Sequence, residues 1–434
     1  VNEPVQTLKA ADSEALSLCQ QNALVALKGH ENIFLTGSAG TGKSFLLQTF
    51  LRDTSGEKFP VLASTGAAAI LIGGRTFHSF FGLGIMEGGL QATLERALKN
   101  KLVLKRIKKI QGIILDEVSM IPGEAFNAAE SIARLGRGKG LPWGGLKIIA
   151  VGDFAQLPPV SRNPGFRDWA FLSEAWRKSN FKKSVLREIM RTTDQAFASI
   201  LADVRVGNLS PQVERFLNRR MILDSDTGYS GALLFSRKFE VDKINKQKLD
   251  ELSGPVKSFE TEYVGPEPSV RSLKVNAPIP EKIELKKKAL VMIRQNDPRG
   301  RWVNGSLGHV QDINSQEIGI QLLDKSFVEV PRTRFSLHDA EGNEIAAATN
   351  FPIHLAYAVT IHKAQGATLD KAIVDLRNLW EPGQAYVAMS RVRRPEDLWV
   401  AGWTPQSFKA DPLVLELNGD MALVNSAVDV ESEW

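Results

Sequence analysis

The segment that most restricts the fold is Gly37-Ser-Ala-Gly-Thr-Gly-Lys43-Ser44, which follows the apolar run Asn32 to Thr36 and precedes a helical pattern opening at Phe45. A strand, a glycine-rich turn and a helix in that order gather backbone N–H groups at one end of a parallel sheet, where the helix N-terminus favours anions. The expected object is a phosphate cradle. Gly37, Ser38, Ala39, Gly40, Thr41 and Gly42 wrap the phosphates, Lys43 reaches the β and γ groups, and Ser44 holds Mg2+. Pro60 to Ser64, Gly112 to Asp116 and Leu146 to Gly152 are apolar on consecutive positions, as in strands covered on both faces. Helical patterns between them predict a doubly wound α/β layout.

Two further segments fit the same sheet edge. Gly112-Ile-Ile-Leu-Asp116-Glu117 is a buried strand ending in two acids, where Asp116 can hold Mg2+ through water and Glu117 can polarise an attacking water. Two such acids also suit an ordinary helix N-terminus; downstream of a phosphate loop the chemical reading gains. Val151-Gly-Asp153-Phe-Ala-Gln156-Leu-Pro158-Pro159 follows a third strand, with a carboxamide at Gln156 able to sense a terminal phosphate and prolines that stiffen the loop.

A second α/β pattern starts near Ser184, with a helical stretch Ala196 to Val206, an apolar run Gly231 to Phe235 and a polar helix over Lys238 to Leu252. From Gly254 to Ile353 the texture turns β-rich: Ala289 to Arg294, Gly308 to Ile313, Glu317 to Leu323 and Ser326 to Val330 read as short strands of a small inserted barrel or sandwich. The α/β pattern resumes at Leu355 to Thr360 and Lys371 to Leu376. Residues 82–110 pass from Gly-rich to basic (Lys99, Lys101, Lys105, Arg106, Lys108, Lys109) and are expected to form a small insertion. The expected domains are 1–180, then 181–253 with 350–434, and the β-rich insertion 254–349.

Composition sets the class of partner. The 434 residues carry 54 Lys and Arg against 49 Asp and Glu, a net +5, but six acids and no base lie in Ala410 to Trp434, leaving +11 on the rest. Such a body suits a polyanion. With 43% apolar and 24% charged residues the chain is neither disordered nor, lacking a run of about 18 apolar residues, a spanner of membranes by helices. One cysteine, Cys19, forbids an intrachain disulfide and a cysteine-rich zinc cluster, and an intracellular setting is expected.

The phosphate loop, LDEVSM at Leu115 to Met120, VGDFAQLPPV at Val151 to Val160, AVTIHKAQGATLD at Ala358 to Asp370 and GQAYVAMSRVR at Gly383 to Arg393 resemble motifs I, II, III, V and VI of superfamily 1 helicases. Within them STGAAAILIGG, the following TFHSF and GQAYVAMSR are similar to the Pif (petite integration frequency) family, kin of the RecD-like enzymes.

The resemblance implies two RecA-like P-loop domains, a small wedge in the first, a Src-homology-3-like barrel in the second, ATP and Mg2+ between them, and single-stranded DNA across the top. By the same resemblance Gln20 reads adenine, with Gln21 as the competing register, and Gly366 lines the ATP site. Arg191 and Arg391 reach the γ-phosphate from the second domain, although the family usually has Arg-Gln where this chain has Arg191-Thr192. Ser64, Thr65, Thr76, His78, Ser79 and Pro158 in the first domain, with Thr360, His362 and Lys363 in the second, are the implied DNA contacts. His78 and His362 lack the companions a zinc site requires. Trp302-Val-Asn304-Gly305-Ser-Leu-Gly308 resembles part of the family's barrel, and Asn304-Gly305 is also a hairpin signal. Lys286 to Lys288 and the run Lys105 to Lys109 read first as solvated faces, with a place along the duplex as the alternative. The implied activity is a monomeric ATP-dependent helicase moving 5' to 3' on single strands and opening forked or tailed duplexes. Its rival is a nucleotide-gated single-strand binder that unwinds nothing.

Overall fold

The computed structural model describes residues 16–54, 58–64, 75–84, 86, 88–160, 166–222, 231–277, 279–297, 299–338 and 344–419. Six parallel strands form the first sheet: β1 (Ile33–Gly37), β2 (Val61–Ala63), β3 (Arg75–Thr76), β4 (Gly112–Asp116), β5 (Lys147–Val151) and β6 (Lys182–Leu186), in the order β3-β2-β4-β5-β1-β6. The central β1, β4 and β5 are apolar along their length because both faces are covered. Phe34, Ile113, Leu115, Ile148 and Ala150 enter one core, while Ile33, Leu35, Ile114, Ile149 and Val151 enter the other.

The expected break at residue 180 moves. β6 pairs with β1 from Ile33↔Lys182 to Gly37↔Leu186, so the first sheet claims residues through Leu186. The chain also returns to this body at its far end, where Val414 packs into the first core and Trp169 Nε1 donates to Asp411 Oδ2 (3.2 Å). The basic stretch expected as an insertion forms two helices, Gly89–Lys99 and Lys101–Lys109, whose Ala97, Val103 and Ile107 lie inside the first core.

A second parallel sheet orders Ala358–Thr360, Ala232–Phe235, Ala372–Leu376 and Leu398–Trp403. Between its first two strands in sequence lies the β-rich part. Five antiparallel strands run Phe327–Pro331, Glu317–Leu322, Leu307–Ile313, Leu290–Ile293 and Ile353–Leu355. The expected strand Leu355 to Thr360 is thus divided between two sheets, and the β-rich part reaches residue 355 rather than 349. Strand Leu290–Ile293 explains an uninterrupted apolar run: Leu290 and Met292 face the second α/β core, while Val291 and Ile293 face the β-rich core.

Lys286 to Lys288 read from sequence as a solvated face; Lys286 is instead buried, its Nζ donating to Leu252 O (2.7 Å) and Asp250 O (3.4 Å) at the end of the helix Lys238–Glu251. Three cations in a row resemble surface, but a helix C-terminus attracts a cation. No helix among the described residues is long and apolar enough to cross a membrane.

Candidate functional site

The phosphate loop turns at the carboxyl end of β1. Gly40 and Gly42 have φ of +83° and +84°, a region that favours glycine, and a Cβ on Gly40 would stand 2.4 Å from Arg191 Cβ. Lys43 Nζ donates to Gly37 O (2.7 Å) and Ser38 O (3.0 Å), spanning the mouth of the loop, and burial lowers its pKa although Asp153 and Glu117 pull the other way. Thr41 closes the turn through its hydroxyl to Ser38 O (3.0 Å), and Ser44 is exposed on the first helical turn. Gln20, not Gln21, lies against the loop: it is buried and its Nε2 donates to Thr41 O (3.2 Å), whereas Gln21 is exposed.

Asp116 and Glu117 stand at the end of β4. Burial, reinforced by the neighbouring Glu117, raises the pKa of the Asp116 carboxyl above the ordinary carboxylate range. Glu117 has φ +51°, ψ +49°, a left-handed conformation costly for a residue with a Cβ and one that recurs where function over-determines the backbone. Its Oε2 accepts from Gln365 Nε2 (3.2 Å), and a Cβ on Gly366 would lie 3.9 Å from its Oε1. Gly366 therefore sits beside the acid.

The loop after β5 is buried from Val151 to Pro159. Gln156 is inside it, and Asp153 carries its most connected side chain. Asp153 Oδ1 and Oδ2 accept from Arg205 NH2 (2.7 Å) and Nε (3.2 Å), and Oδ1 also accepts from Ala155 N (3.1 Å). Burial alone would raise the Asp153 pKa; Arg205 holds it below the ordinary carboxylate range. Arg205 also bonds Tyr386, and the Tyr386 hydroxyl accepts from Ala39 N (2.7 Å). A buried chain of Asp153, Arg205 and Tyr386 thus ties the β5 loop and the phosphate loop to helices Gln195–Arg205 and Gln384–Met389. Ala39 and Leu157 complete the joint by packing into the second core.

Arg191 follows β6. Its backbone and that of Met190 donate to Gly40 O, and its NH1 donates to Ser390 O (2.6 Å). Arg391 is 1% exposed, and each of its three guanidinium nitrogens donates to oxygen: Nε to Val387 O (2.6 Å), NH1 to Ala364 O (3.4 Å) and Ala367 O (3.3 Å), NH2 to Ser390 Oγ (2.8 Å). Burial lowers both arginine pKa values, and Arg191 further lowers that of Arg391. The junction of the two sheets therefore gathers Lys43, Arg191 and Arg391, with burial disfavouring their charges.

The implied strand contacts divide. Thr76 and Thr360 each end a strand and cap a short helix, Thr76 Oγ1 accepting from Ser79 N (3.1 Å) and Thr360 Oγ1 from Lys363 N (3.2 Å). Two residues on from each lie the half-buried His78 and His362, both with pKa lowered by burial and so neutral at pH 7. Ser79 and Lys363 are exposed; Ser64 Oγ lies 3.8 Å from Met120 Sδ; Thr65 lies outside the described residues. Pro158 is buried, so the apolar surface offered by its loop is Val160, 81% exposed. The Asn304-Gly305 turn does not point outward either: Gly305 has φ +102°, its Cβ position lies 2.4 Å from Thr368 O, and Leu307 N donates to Asp370 Oδ2 (3.1 Å). Among the described residues no group of three or more His, Cys, Asp or Glu could hold a metal ion.

Sequence reasoning missed Arg205, Tyr386 and Gln365, and quoted Asp153 without a role. Asp153 carried a signal as an acid at the end of a buried strand, and Gln365 and Tyr386 lie inside the quoted motifs, whereas Arg205 carried none.

A phosphate loop and two acids at the carboxyl edge of one parallel sheet, faced by arginines at the junction with a second, define a two-sheet P-loop nucleotide-binding protein. A family model described as PIF1-like helicase matches residues 13–215. The chain is 50% identical over 400 residues to "ATP-dependent DNA helicase Pif1" of Bdellovibrio bacteriovorus, covering 92% of this chain and 91% of that protein. It is 36% identical to "ATP-dependent DNA helicase PIF1" of Danio rerio, spanning 95% of itself but 65% of that longer protein. A crystal structure of Bacteroides Pif1 with ADP-AlF4 has a TM-score of 0.81 at 26% identity, over 93% of this chain and 96% of that one. The Bacteroides complex with ADP-AlF3 and single-stranded DNA has 0.65 at 27%, over 93% and 97%. The chain belongs to the PIF1-like helicase family.

Proposed function

We infer that the protein is an ATP-dependent DNA helicase that moves 5' to 3' along single-stranded DNA and opens forked or tailed duplexes. The observation that carries the reading is the junction of the two sheets, where Lys43 spans the phosphate loop, Arg191 NH1 donates to Ser390 O and Glu117 meets Gln365, while burial disfavours charge on Lys43, Arg191 and Arg391. A bound triphosphate would relieve that electrostatic cost, and ATP is the polyanion the family uses. Gln20 lies where an adenine edge would pass, and Lys43 meets the β and γ phosphates after giving up Gly37 O and Ser38 O. The Ser44 hydroxyl and the Asp116 carboxylate, at the loop and at the end of β4, are oxygen donors suited to Mg2+. Mg2+ held by these residues would supply positive charge to offset that of the phosphates. Glu117 orients the attacking water and Gln156 contacts the terminal phosphate. Arg191 and Arg391 complete the charge balance once Arg391 leaves its carbonyl partners, a step worth on the order of a thousandfold or more in other arginine-finger enzymes.

The paired Thr-x-His turns support a strand path over both sheets. Ser64, Thr65, Thr76, His78 and Ser79 grip on one side and Thr360, His362 and Lys363 on the other; neutral imidazoles suit stacking under bases. The helices 89–109 serve as the wedge, the β-rich part as the barrel, and the two parallel sheets as RecA-like domains. Direction rests on the family resemblance. The proposed acting unit is a monomer, and an ATP-fuelled DNA motor with one cysteine fits an intracellular setting. The rival, a nucleotide-gated binder, has no use for Glu117 in a strained conformation. We expect ATPase activity that rises with single-stranded DNA, and Glu117→Gln should retain ATP and DNA binding while losing turnover at least a hundredfold. Normal turnover in that variant overturns the assignment.

A further inference from the structure

His362 and Lys363, assigned above to the DNA strand, lie on a segment that continues directly into Gln365. Gln365 Nε2 donates to Glu117 Oε2 across the junction of the two sheets (3.2 Å), and the carboxylate, which only accepts, fixes which end of the amide faces it. The other end, Oε1, is buried with no hydrogen-bond partner in the protein. A half-satisfied amide beside a base is costly to keep.

The segment is also stiff. The Thr360 hydroxyl caps the helix Ile361–Ala364, Gln365 N donates to His362 O (3.3 Å), and Ala367 N to Ala364 O (3.1 Å). Before Arg391 turns to a bound nucleotide, its NH1 also holds the carbonyls of Ala364 and Ala367 on either side of Gln365. A displacement imposed at His362 or Lys363 is therefore carried to Gln365. Glu117 stands on a separate segment at the end of β4 in a left-handed backbone conformation, so it is not carried along with the turn.

We propose that Gln365 is a positioning residue that restrains Glu117 until a DNA strand loads the helix Ile361–Ala364. Resting on the helicase reading, the inference assigns the control of its ATPase. While the amide donates to Oε2, it occupies a lone pair that an attacking water would use. A strand binding at His362 and Lys363 shifts the turn, breaks the contact and releases the carboxylate.

The test is steady-state ATPase on the full chain, with and without saturating oligo-dT, for wild type, Gln365→Met (same length, no amide) and Gln365→Asn (amide kept, one methylene short). Both variants should raise the DNA-free kcat at least fivefold and leave the DNA-saturated kcat, the KM for ATP and the oligo-dT Kd within about twofold, values a merely structural role would not sort in this way. A stimulation ratio unchanged in both variants, or equal losses with and without DNA, overturns the restraint alone. A wild-type ATPase indifferent to oligo-dT overturns the helicase reading and this inference together.

Discussion

Replacing Arg205 with methionine removes the cation from a carboxylate that has no access to water. The Asp153 side chain is 0% exposed and that of Arg205 17%, and two hydrogen bonds of 2.7 and 3.2 Å join them. Breaking a buried pair from one side costs about 3–5 kcal/mol because the surviving charge stays buried. Here Ala155 N and the nearby Lys43 continue to stabilise Asp153, which places the expected loss near the lower end, about 3 kcal/mol. For a cooperative unit of about 200 residues that is roughly 6–12 °C in Tm.

The pH dependence follows from the sign of the shift. In wild type Arg205 depresses the Asp153 pKa, so the pair stabilises the fold above the unfolded carboxylate value near ~3.9 and loses that contribution as pH falls toward the lower folded value. Without Arg205 burial raises the same pKa, the neutral acid becomes the favoured form, and the deficit should shrink between pH 8 and pH 5. Scanning fluorimetry at both pH values, with Asp153→Asn and the double variant, checks this. The double variant should be more stable than the summed single losses imply, by about 2 kcal/mol. Additive losses, or a deficit constant with pH, would refute the buried-pair reasoning.

Gly305→Ala forces a Cβ to 2.4 Å from Thr368 O at φ +102°, and should cost about 2 kcal/mol or more, read as a Tm loss; Gly300→Ala, at φ +72° with open space around it, should cost about 1 kcal/mol. Lys286→Met leaves two carbonyls at the end of the helix Lys238–Glu251 without their donor and should cost about 1–3 kcal/mol, with faster amide exchange confined to that helix end.

What sequence reveals and what it hides follows the reach of each interaction. The phosphate loop was legible because its chemistry is local: glycines at positive φ, a lysine and a hydroxyl within eight consecutive residues, after a strand whose apolar run announces burial on both faces. The Asp116-Glu117 pair was legible for the same reason. Arg205 and Tyr386 were not, since their partners lie 52 and 347 residues away and an arginine at a helix end is ordinarily surface. Gln365 meets Glu117 at a separation of 248. Lys286 misled because three consecutive lysines look solvated until the neighbouring helix end is in view. The break at residue 180 misled because β6 resembles the start of a new pattern yet adds to the edge of the first sheet. Asn304-Gly305 reads as a hairpin, while its glycine is required by contact with Thr368.

The claim that the cleft drives a motor is tested most directly by strand separation on duplexes bearing a single-stranded tail at one end. Opening each base-pair step opposes stacking of about 1.4 kcal/mol, well within what a nucleotide-driven cycle supplies. ATP should drive separation of the 5'-tailed duplex, with none for the blunt duplex and none for Lys43→Ala. Separation of neither tailed substrate would contradict the helicase reading, and separation with the 3' tail alone would contradict its direction.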